Sequence, residues 1–215
     1  MTDTDNSKAR TLLNAVERML DTPDEIAGVV ERMRREGGGD LGTTATRIVS
    51  HYSNRCALMG GIAGMPGLFP GLGPVIAIAG TALAEMVALL KLEVEMCLAL
   101  AHAYGYDIRE TRERQLAFLL AAVHTREVST GRNVLLDIGA VSLTAATNYT
   151  PRQLEKLLLK VLGITGLIVG FRNLPRLAAH ALPLVGVGIG AGLNKVLTAR
   201  VGKRAIAWYS GRQRG

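Results

Sequence analysis

The middle of the sequence holds the side chains whose types and spacing could support acid–base chemistry. Lys91, Glu95 and His102 would share one face of a helix, because they are separated by four and then seven residues. A carboxylate and an imidazole on one face could transfer a proton. The same spacing is also typical of an ordinary polar stripe with one Lys–Glu ion pair. We favour the second interpretation and predict no catalytic residue.

Two isolated carboxylates, Glu85 and Asp137, lie in apolar stretches whose composition is typical of helices. A lone charge is costly to bury, so each is a candidate buried carboxylate with a partner. One interpretation is a shared site for a proton or a cation. The other is that each carboxylate pairs with an arginine or faces solvent, and we favour it.

Patterns that define common catalytic and metal sites are missing from the sequence. HExxH, CxxC and GxSxG do not occur. No metal-site spacing links the four histidines, which are His51, His102, His124 and His180. Cys56 and Cys97 lie in apolar surroundings, as reduced core thiols do. The sequence therefore predicts neither a metal nor a cofactor, and it favours a protein that is not an enzyme.

The elements that carry these side chains are predicted to be helices, which makes the chain an all-α, multi-helix bundle. Thr22 to Glu25 reads as a capping box with Pro23 at the first helical position, between a helix near 8–20 and one ending near Glu36. Gly105 is predicted to cap a helix, and Asp107 with Glu110 to start the next. The other predicted helices cover about 43–59, 75–104, 107–125, 134–147, 150–171 and 183–209.

A glycine-rich break at residues 37–40 coincides with a change of charge. Residues 1–40 carry nine acidic and six basic side chains, whereas the rest of the chain carries nine acidic and nineteen basic ones. We therefore predict a charged N-terminal helical hairpin or appendage over 1–40 and a helical domain with a basic C-terminal helix over 41–215.

The C-terminal region is strongly basic, because no acid follows Glu155. Such a region suits an anionic partner, and Trp208 and Tyr209 beside it are typical of a membrane interface, although an ordinary solvated helix end is the alternative. Aromatic side chains are not interleaved with the basic ones, which argues against nucleic acid. The predicted basic surface consists of Lys195, Arg200, Lys203 and Arg204.

The apolar stretch MPGLFPGLGPVIAIAG covers residues 65–80. Prolines every four residues exclude a straight helix, so it is predicted to be the turn of a Gly/Pro-rich apolar helical hairpin. Twenty-nine uncharged residues separate Arg55 from Glu85, but their prolines and glycines disfavour a simple membrane span. Burial in a core and shallow insertion both stay open. The predicted apolar contacts are Pro66, Leu68, Phe69, Pro70, Pro74, Gly186 and Gly190, the last two in GxxxG spacing.

Several of these motifs together resemble the EcsC family, over about residues 45–210. They are GLFPGLGP at 67–74, LAHA at 100–103, the YGYD motif at 104–107, LPLVGVGIG at 182–190 and AIAWY at 205–209. The family is bacterial and is named for a protein encoded beside an ABC transporter. The resemblance implies an α-helical, membrane-associated or transporter-linked accessory protein. The family motif residues are Tyr104, Gly105, Tyr106 and Asp107, and the family supplies no catalytic residues.

The leading functional prediction is a non-enzymatic, membrane-associated accessory or scaffold protein. The acidic, polar start of the chain lacks a signal-peptide core, so we expect a cytoplasmic protein. It would be peripheral on the inner membrane face or shallowly inserted. The expected partners are anionic membrane lipid, a membrane protein or both, and self-association is left open. The alternative is a soluble helical bundle that binds a protein partner or an apolar ligand.

Overall fold

The computed structural model describes residues 3–61, 81–130, 146–164 and 183–213, and within these ranges the chain forms seven helices and no strand. The predicted all-α, multi-helix bundle is confirmed. The predicted turn at 65–80 lies outside the described residues, as does most of the predicted helix at 134–147. The helices are α1 (Asp3–Met19), α2 (Pro23–Glu36), α3 (Leu41–Gly61), α4 (Thr81–Ala103), α5 (Thr111–Thr130), α6 (Pro151–Ile164) and α7 (Pro183–Arg212).

Side-chain caps set the starts of α2 and α6. The hydroxyl of Thr22 accepts a hydrogen bond from the Glu25 amide at 3.3 Å, and the Glu25 carboxylate accepts one from the Thr22 amide at 2.7 Å. In the same way, the side-chain oxygen of Gln153 accepts from the Thr150 amide at 2.9 Å. These pairs satisfy backbone donors that the first helical turn leaves unpaired. Both predicted helix starts are confirmed.

The predicted glycine cap of α4 is also confirmed. Gly105 has a φ of +86°, a conformation that glycine adopts without a steric penalty. The Gly105 amide donates to the carbonyl of His102, and the Tyr106 amide donates to that of Ala101, both at 3.0 Å. This pair of bonds is a Schellman motif, and it ends α4.

Two predicted boundaries of α5 are wrong. Asp107 does not cap it, because its carboxylate accepts from the Arg109 amide at 2.9 Å and closes a turn, so the helix begins only at Thr111. Aspartate favours such local turns as readily as caps. The helix predicted to end near residue 125 continues to Thr130, since serine and threonine disfavour a helix only weakly.

Helix α4 is the centre of the bundle. It contacts α1, α2, α3, α5 and α7, and every side chain from Leu90 to Ala101 is buried. The N-terminal helices contribute Leu12, Val16, Ile26 and Val30 to the same core. They contact α3, α4 and α6, while the domain boundary at residue 40 stays a prediction.

Helices α3 and α7 pack against each other more closely than any side chain between them would allow. A Cβ added to Gly202 would lie 2.6 Å from Cγ2 of Val49 and 3.1 Å from the sulfur of Met96. Further along, the thiol of Cys56 is in hydrogen-bonding contact with Thr198. From the first contact to the second, the residue number rises along α3 and falls along α7, so the two helices are antiparallel.

Helices α4 and α7 run in the same direction. The Thr198 hydroxyl donates to Glu93 at 3.1 Å, and near the other end the rings of Tyr104 and Tyr209 stack with centroids 6.2 Å apart. Helix α5 begins beside the end of α7, where Arg212 binds Glu113, and so runs back along both.

These directions bring four helix ends to one end of the bundle, which we call the apolar end. They are Gly61 of α3, Thr81 of α4, Thr130 of α5 and Pro183 of α7. The chain segments 62–80, 131–145 and 165–182 each adjoin at least one of these ends. The apolar end is therefore where those three segments join the described bundle.

Candidate functional site

A buried charge cluster joins the central helix to the loop between α1 and α2. The ammonium nitrogen of Lys91 lies 2.8 Å from a carboxylate oxygen of Asp21 and 2.8 Å from one of Glu95. The Asp21 amide donates to the same Glu95 oxygen at 2.8 Å. The side chains of Lys91 and Glu95 are 7% and 0% exposed. The cluster thus fastens the N-terminal hairpin to α4.

Burial and charge shift the pKa values of this cluster in opposite directions. Burial raises the pKa of the Glu95 carboxyl, against the lowering effect of its hydrogen bond with Lys91. Burial also acts to raise the pKa of Asp21, but the hydrogen bond and the charge of Lys91 outweigh it, so that pKa is lowered. Glu95 is therefore the carboxyl that protonates more readily.

The buried hydroxyl of Tyr52 interacts electrostatically with the same cluster. Burial raises its pKa, and the negative charge of Glu95 raises it further. Neither this hydroxyl nor Oε2 of Glu95 has a hydrogen-bond partner among the described residues. A buried polar atom without a hydrogen-bond partner costs free energy, so these two atoms lower the stability of the fold.

The predicted polar stripe of α4 is confirmed as an ion pair between Lys91 and Glu95. His102 lies about 10 Å further along the helix axis, too far to exchange a proton directly with Glu95. Helix α4 includes Glu85, whose side chain lies outside the described part, and Asp137 is outside it altogether. Across the described ranges, no group of three His, Cys, Asp or Glu side chains could hold a metal ion.

A second polar contact lies where α4 meets α7, and the two cysteines are close to it. Glu93 is buried and accepts the hydrogen bond from Thr198. Burial raises the pKa of Cys56 to about 12, and that of Cys97 also rises. Both thiols are free and buried, which confirms that they are reduced core residues.

An aromatic cluster joins the last turns of α7 to the turn after α4. Tyr209 is fully buried and lies between Tyr104 and Tyr106, with its ring centroid 5.7 Å from that of Tyr106. Trp208 packs edge-on against it and is half-buried. Tyr209 therefore belongs to the core. For this residue, a place at a membrane interface and a place on a solvated helix end are both wrong. Its side of α7 faces α4, which the sequence alone does not show.

The sequence, in which no acid follows Glu155, suggests that Arg212 has no acidic partner, but the structure gives it one. Its guanidinium makes two hydrogen bonds of 2.6 Å to the Glu113 carboxylate, and its central carbon lies 4.2 Å from the Tyr106 ring centroid. Ninety-nine residues separate the two charged partners, so no local pattern could have found the pair. Together with the aromatic cluster, it fixes the end of α7 to α5.

The YGYD residues therefore act in three ways. Tyr104 and Tyr106 form part of the aromatic cluster, Gly105 caps α4, and Asp107 closes the exposed turn that follows. Each contact is structural. Whether these residues carry a family function stays a prediction.

The predicted basic residues are all exposed on α7. Arg200, Lys203 and Arg204 lie on the side of the helix opposite Thr198 and Tyr209, which contact α4, whereas Lys195 lies at the border of the packed side, seven residues before Gly202. Val196, which is 48% exposed, lies among them. Leu58, at the apolar end of α3, is 63% exposed, and these two are the large exposed hydrophobic side chains of the described residues.

Helices α3 and α7 together contain no acidic residue, and we call them the acid-free pair. They carry seven lysine and arginine residues, which equals the net charge of +7 of the whole chain. Acidic and basic residues therefore balance over the rest of the sequence. Sequence reasoning found the basic end of the chain but missed α3, because only the fold places the two helices side by side.

The predicted apolar contacts fall largely outside the described residues. These are Pro66, Leu68, Phe69, Pro70 and Pro74. Gly186 and Gly190 lie in α7, as predicted, but the surroundings of that helix are described only from Gly192 onward. Their role in membrane contact stays a prediction.

Comparison of the chain with protein-family models, with curated proteins and with solved structures finds no match. The resemblance to the EcsC family therefore stays a prediction. Within the described ranges, no helix combines the length and the apolar character needed to cross a membrane.

Proposed function

We propose that this chain is a helical accessory or scaffold protein, without enzymatic activity, that associates with the cytoplasmic face of the inner membrane. The association is peripheral or shallowly inserted, and the partners are anionic lipid, a membrane protein or both. A link to a transporter or to another envelope process, which the EcsC resemblance implies, is part of the proposal.

The observation that carries this proposal is the convergence of helix ends at the apolar end. Residues 62–80 contain no charged side chain, and their two flanking helices, α3 and α4, both end there. The segment 165–182, which holds four leucines, one isoleucine and one valine together with Arg172 and Arg176, leads into α7 at the same end. The exposed side chain of Leu58 lies one turn before the first segment. Two largely apolar segments of the sequence are thus attached to helix ends at the apolar end.

Basic side chains next to apolar ones support a bilayer as the partner. Lys195 and Val196 lie in the half of α7 nearer to the apolar end, and Arg200 follows one turn later. A basic residue near an anionic bilayer contributes about 1 kcal/mol, and reversible anchoring needs such a contribution in addition to apolar contact. The chain offers both.

The buried charge cluster supports a role other than catalysis. Its acid–base groups, Lys91 and Glu95, are closed off beneath the loop that carries Asp21. A substrate would have to displace that loop, which breaks the ion pair of Lys91 with Asp21 and the hydrogen bond from the Asp21 amide to Glu95. The cluster is better explained as a fastening of the N-terminal hairpin.

Vesicle flotation tests the proposal with the full chain. We expect the protein to float with vesicles that contain phosphatidylglycerol and to sediment with the membrane fraction of cells until a salt or carbonate wash. The proposal fails if the protein stays at the bottom of the gradient with both anionic and neutral vesicles and fractionates with cytosol.

A further inference from the structure

The acid-free pair, α3 and α7, carries the whole excess of positive charge of the chain on two adjacent helices. We infer that the exposed side of this pair is the docking surface for anionic lipid headgroups. The inference rests on the proposed function and specifies which face of the bundle meets the bilayer and which headgroup charge it recognises.

Some of the seven cations are already neutralised and do not contribute. Arg47 pairs with Glu36 of α2 at 3.4 Å, and Arg212 is held by Glu113. Arg55 is half-buried near the ring of Tyr52. The surface therefore depends on exposed cations of α7.

Three of these cations, Lys195, Arg200 and Lys203, are exposed; Arg200 and Lys203 share one side of α7, and Lys195 lies at the border of that side, nearer to the apolar end. Among the described acids of the helices that pack against α7, Glu93 is 3% exposed and already accepts a hydrogen bond, Glu95 is fully buried and paired with Lys91, and Glu113 holds Arg212. Helix α3 has no acid to offer. The described carboxylates of the neighbouring helices thus do not cancel the positive field over this face, and it attracts anions.

The arrangement along α7 suits a flat surface. Val196, Arg200, Lys203 and Ala207 are exposed, and their spacings of four, three and four residues place them in one stripe. The stripe is about 16 Å long at 1.5 Å per residue. It starts near the apolar end, so a bilayer that meets the apolar end can also meet the stripe.

Exposed apolar side chains favour a lipid surface over nucleic acid. Val196 lies within the basic stripe, and Leu58 lies on the neighbouring helix. Apolar groups beside cations match the headgroup region, where both are solvated well. The aromatic residues that could stack on bases, Trp208 and Tyr209, are instead packed in the aromatic cluster.

The test compares two triple variants that remove the same charge. One is Lys195→Gln, Arg200→Gln and Lys203→Gln on α7. The matched control is Arg35→Gln, Arg152→Gln and Lys156→Gln, whose side chains are exposed on α2 and α6. Partition is measured onto vesicles of phosphatidylglycerol with phosphatidylcholine, onto pure phosphatidylcholine and onto duplex DNA. Circular dichroism verifies that each variant is folded.

We expect the α7 variant to lose about 100-fold in affinity for anionic vesicles, as follows from three lost headgroup contacts. The control should lose less than about threefold, because exposed charges away from the surface are screened by salt. Binding to neutral vesicles should not change in either variant.

The outcomes separate the two proposals. Equal losses in both variants, or tighter binding to DNA than to anionic vesicles with the same sensitivity to the α7 changes, would overturn the assigned surface. If the unmodified chain binds vesicles and the α7 variant binds as tightly, only the surface is wrong. If the unmodified chain binds no vesicle, the proposed function fails as well.

Discussion

Gly202 of α7 lies directly against Val49 of α3, so close that a Cβ on the glycine would be 2.6 Å from Cγ2 of the valine. This is the point at which the acid-free pair is joined. The two helices carry seven cations and no acid, and of these cations Arg47 and Arg212 are paired with acids of other helices. Close packing at a glycine offsets the repulsion among the remaining cations by bringing apolar surfaces into contact.

Replacing Gly202 should therefore destabilise the fold. In Gly202→Ala, Val49 and Met96 must move, and overpacking of this kind costs about 1–3 kcal/mol. Gly192→Ala is the control on the same helix, where no described atom lies within 4 Å, and alanine should stabilise it by up to about 1 kcal/mol. Urea unfolding measures both. A Gly202→Ala protein as stable as Gly192→Ala would contradict the close packing.

Removing the cation of the buried charge cluster should be costly. Lys91→Met leaves Glu95 buried without its counter-charge, a change that costs about 3–5 kcal/mol. The double variant Lys91→Met, Glu95→Gln should recover part of that loss, since no uncompensated charge stays buried. Arg10→Ala breaks the exposed pair with Glu155 and should cost less than about 1 kcal/mol. If the double variant is no more stable than Lys91→Met alone, the charges of Lys91 and Glu95 do not stabilise each other.

The same cluster should give the stability a defined pH dependence. The folded-state pKa of Glu95 is raised above 4.5, so its contribution to folding is largest at low pH and is lost as the pH rises through the folded pKa. The pKa of Asp21 is lowered below 3.8, so its contribution is present above 3.8 and is lost as the pH falls below that value.

Glu95→Gln should consequently remove the decline of stability with rising pH above 4.5, while the loss on the acid side stays. Urea midpoints between pH 3 and pH 8 measure this for both proteins. If the stability of the variant and that of the unmodified chain change with pH in parallel, burial does not raise the pKa of Glu95.

The pair of Arg212 and Glu113 should hold the end of α7. Arg212→Ala leaves the Glu113 carboxylate, 5% exposed, without its donor, and loss of a hydrogen-bonded charge costs about 1.5–3 kcal/mol. Trp208, the one tryptophan of the sequence, lies 5.4 Å from the guanidinium and should change its emission. Arg200→Ala on the exposed side should alter neither stability nor emission. Unchanged tryptophan emission in Arg212→Ala would contradict the claim that this pair holds the end of α7.

Local features of the fold could be read from the sequence because their causes are local. Thr22 with Glu25, Thr150 with Gln153, and Gly105 satisfy backbone groups within four residues of themselves. Asp107 was misread because an aspartate turn and a helix cap use the same side-chain acceptor.

The candidate site could be predicted only in part, because its remaining contacts are distant in sequence. The i,i+4 pair of Lys91 and Glu95 was visible, but Asp21 lies 70 residues from Lys91. The basic end of α7 was visible as well. Its place beside a second helix without acids depends on packing at Gly202, which no spacing rule encodes.

The most direct test of the membrane-docking face is a fluorophore placed within it. Val196→Cys labels the basic stripe, and Lys156→Cys labels an exposed control position on α6. The native thiols should not react, because both are buried and the pKa of Cys56 is about 12. With phosphatidylglycerol vesicles, we predict a blue shift and quenching by brominated lipid at position 196 and neither at 156. A label at 196 that stays in water while the protein floats would contradict the account.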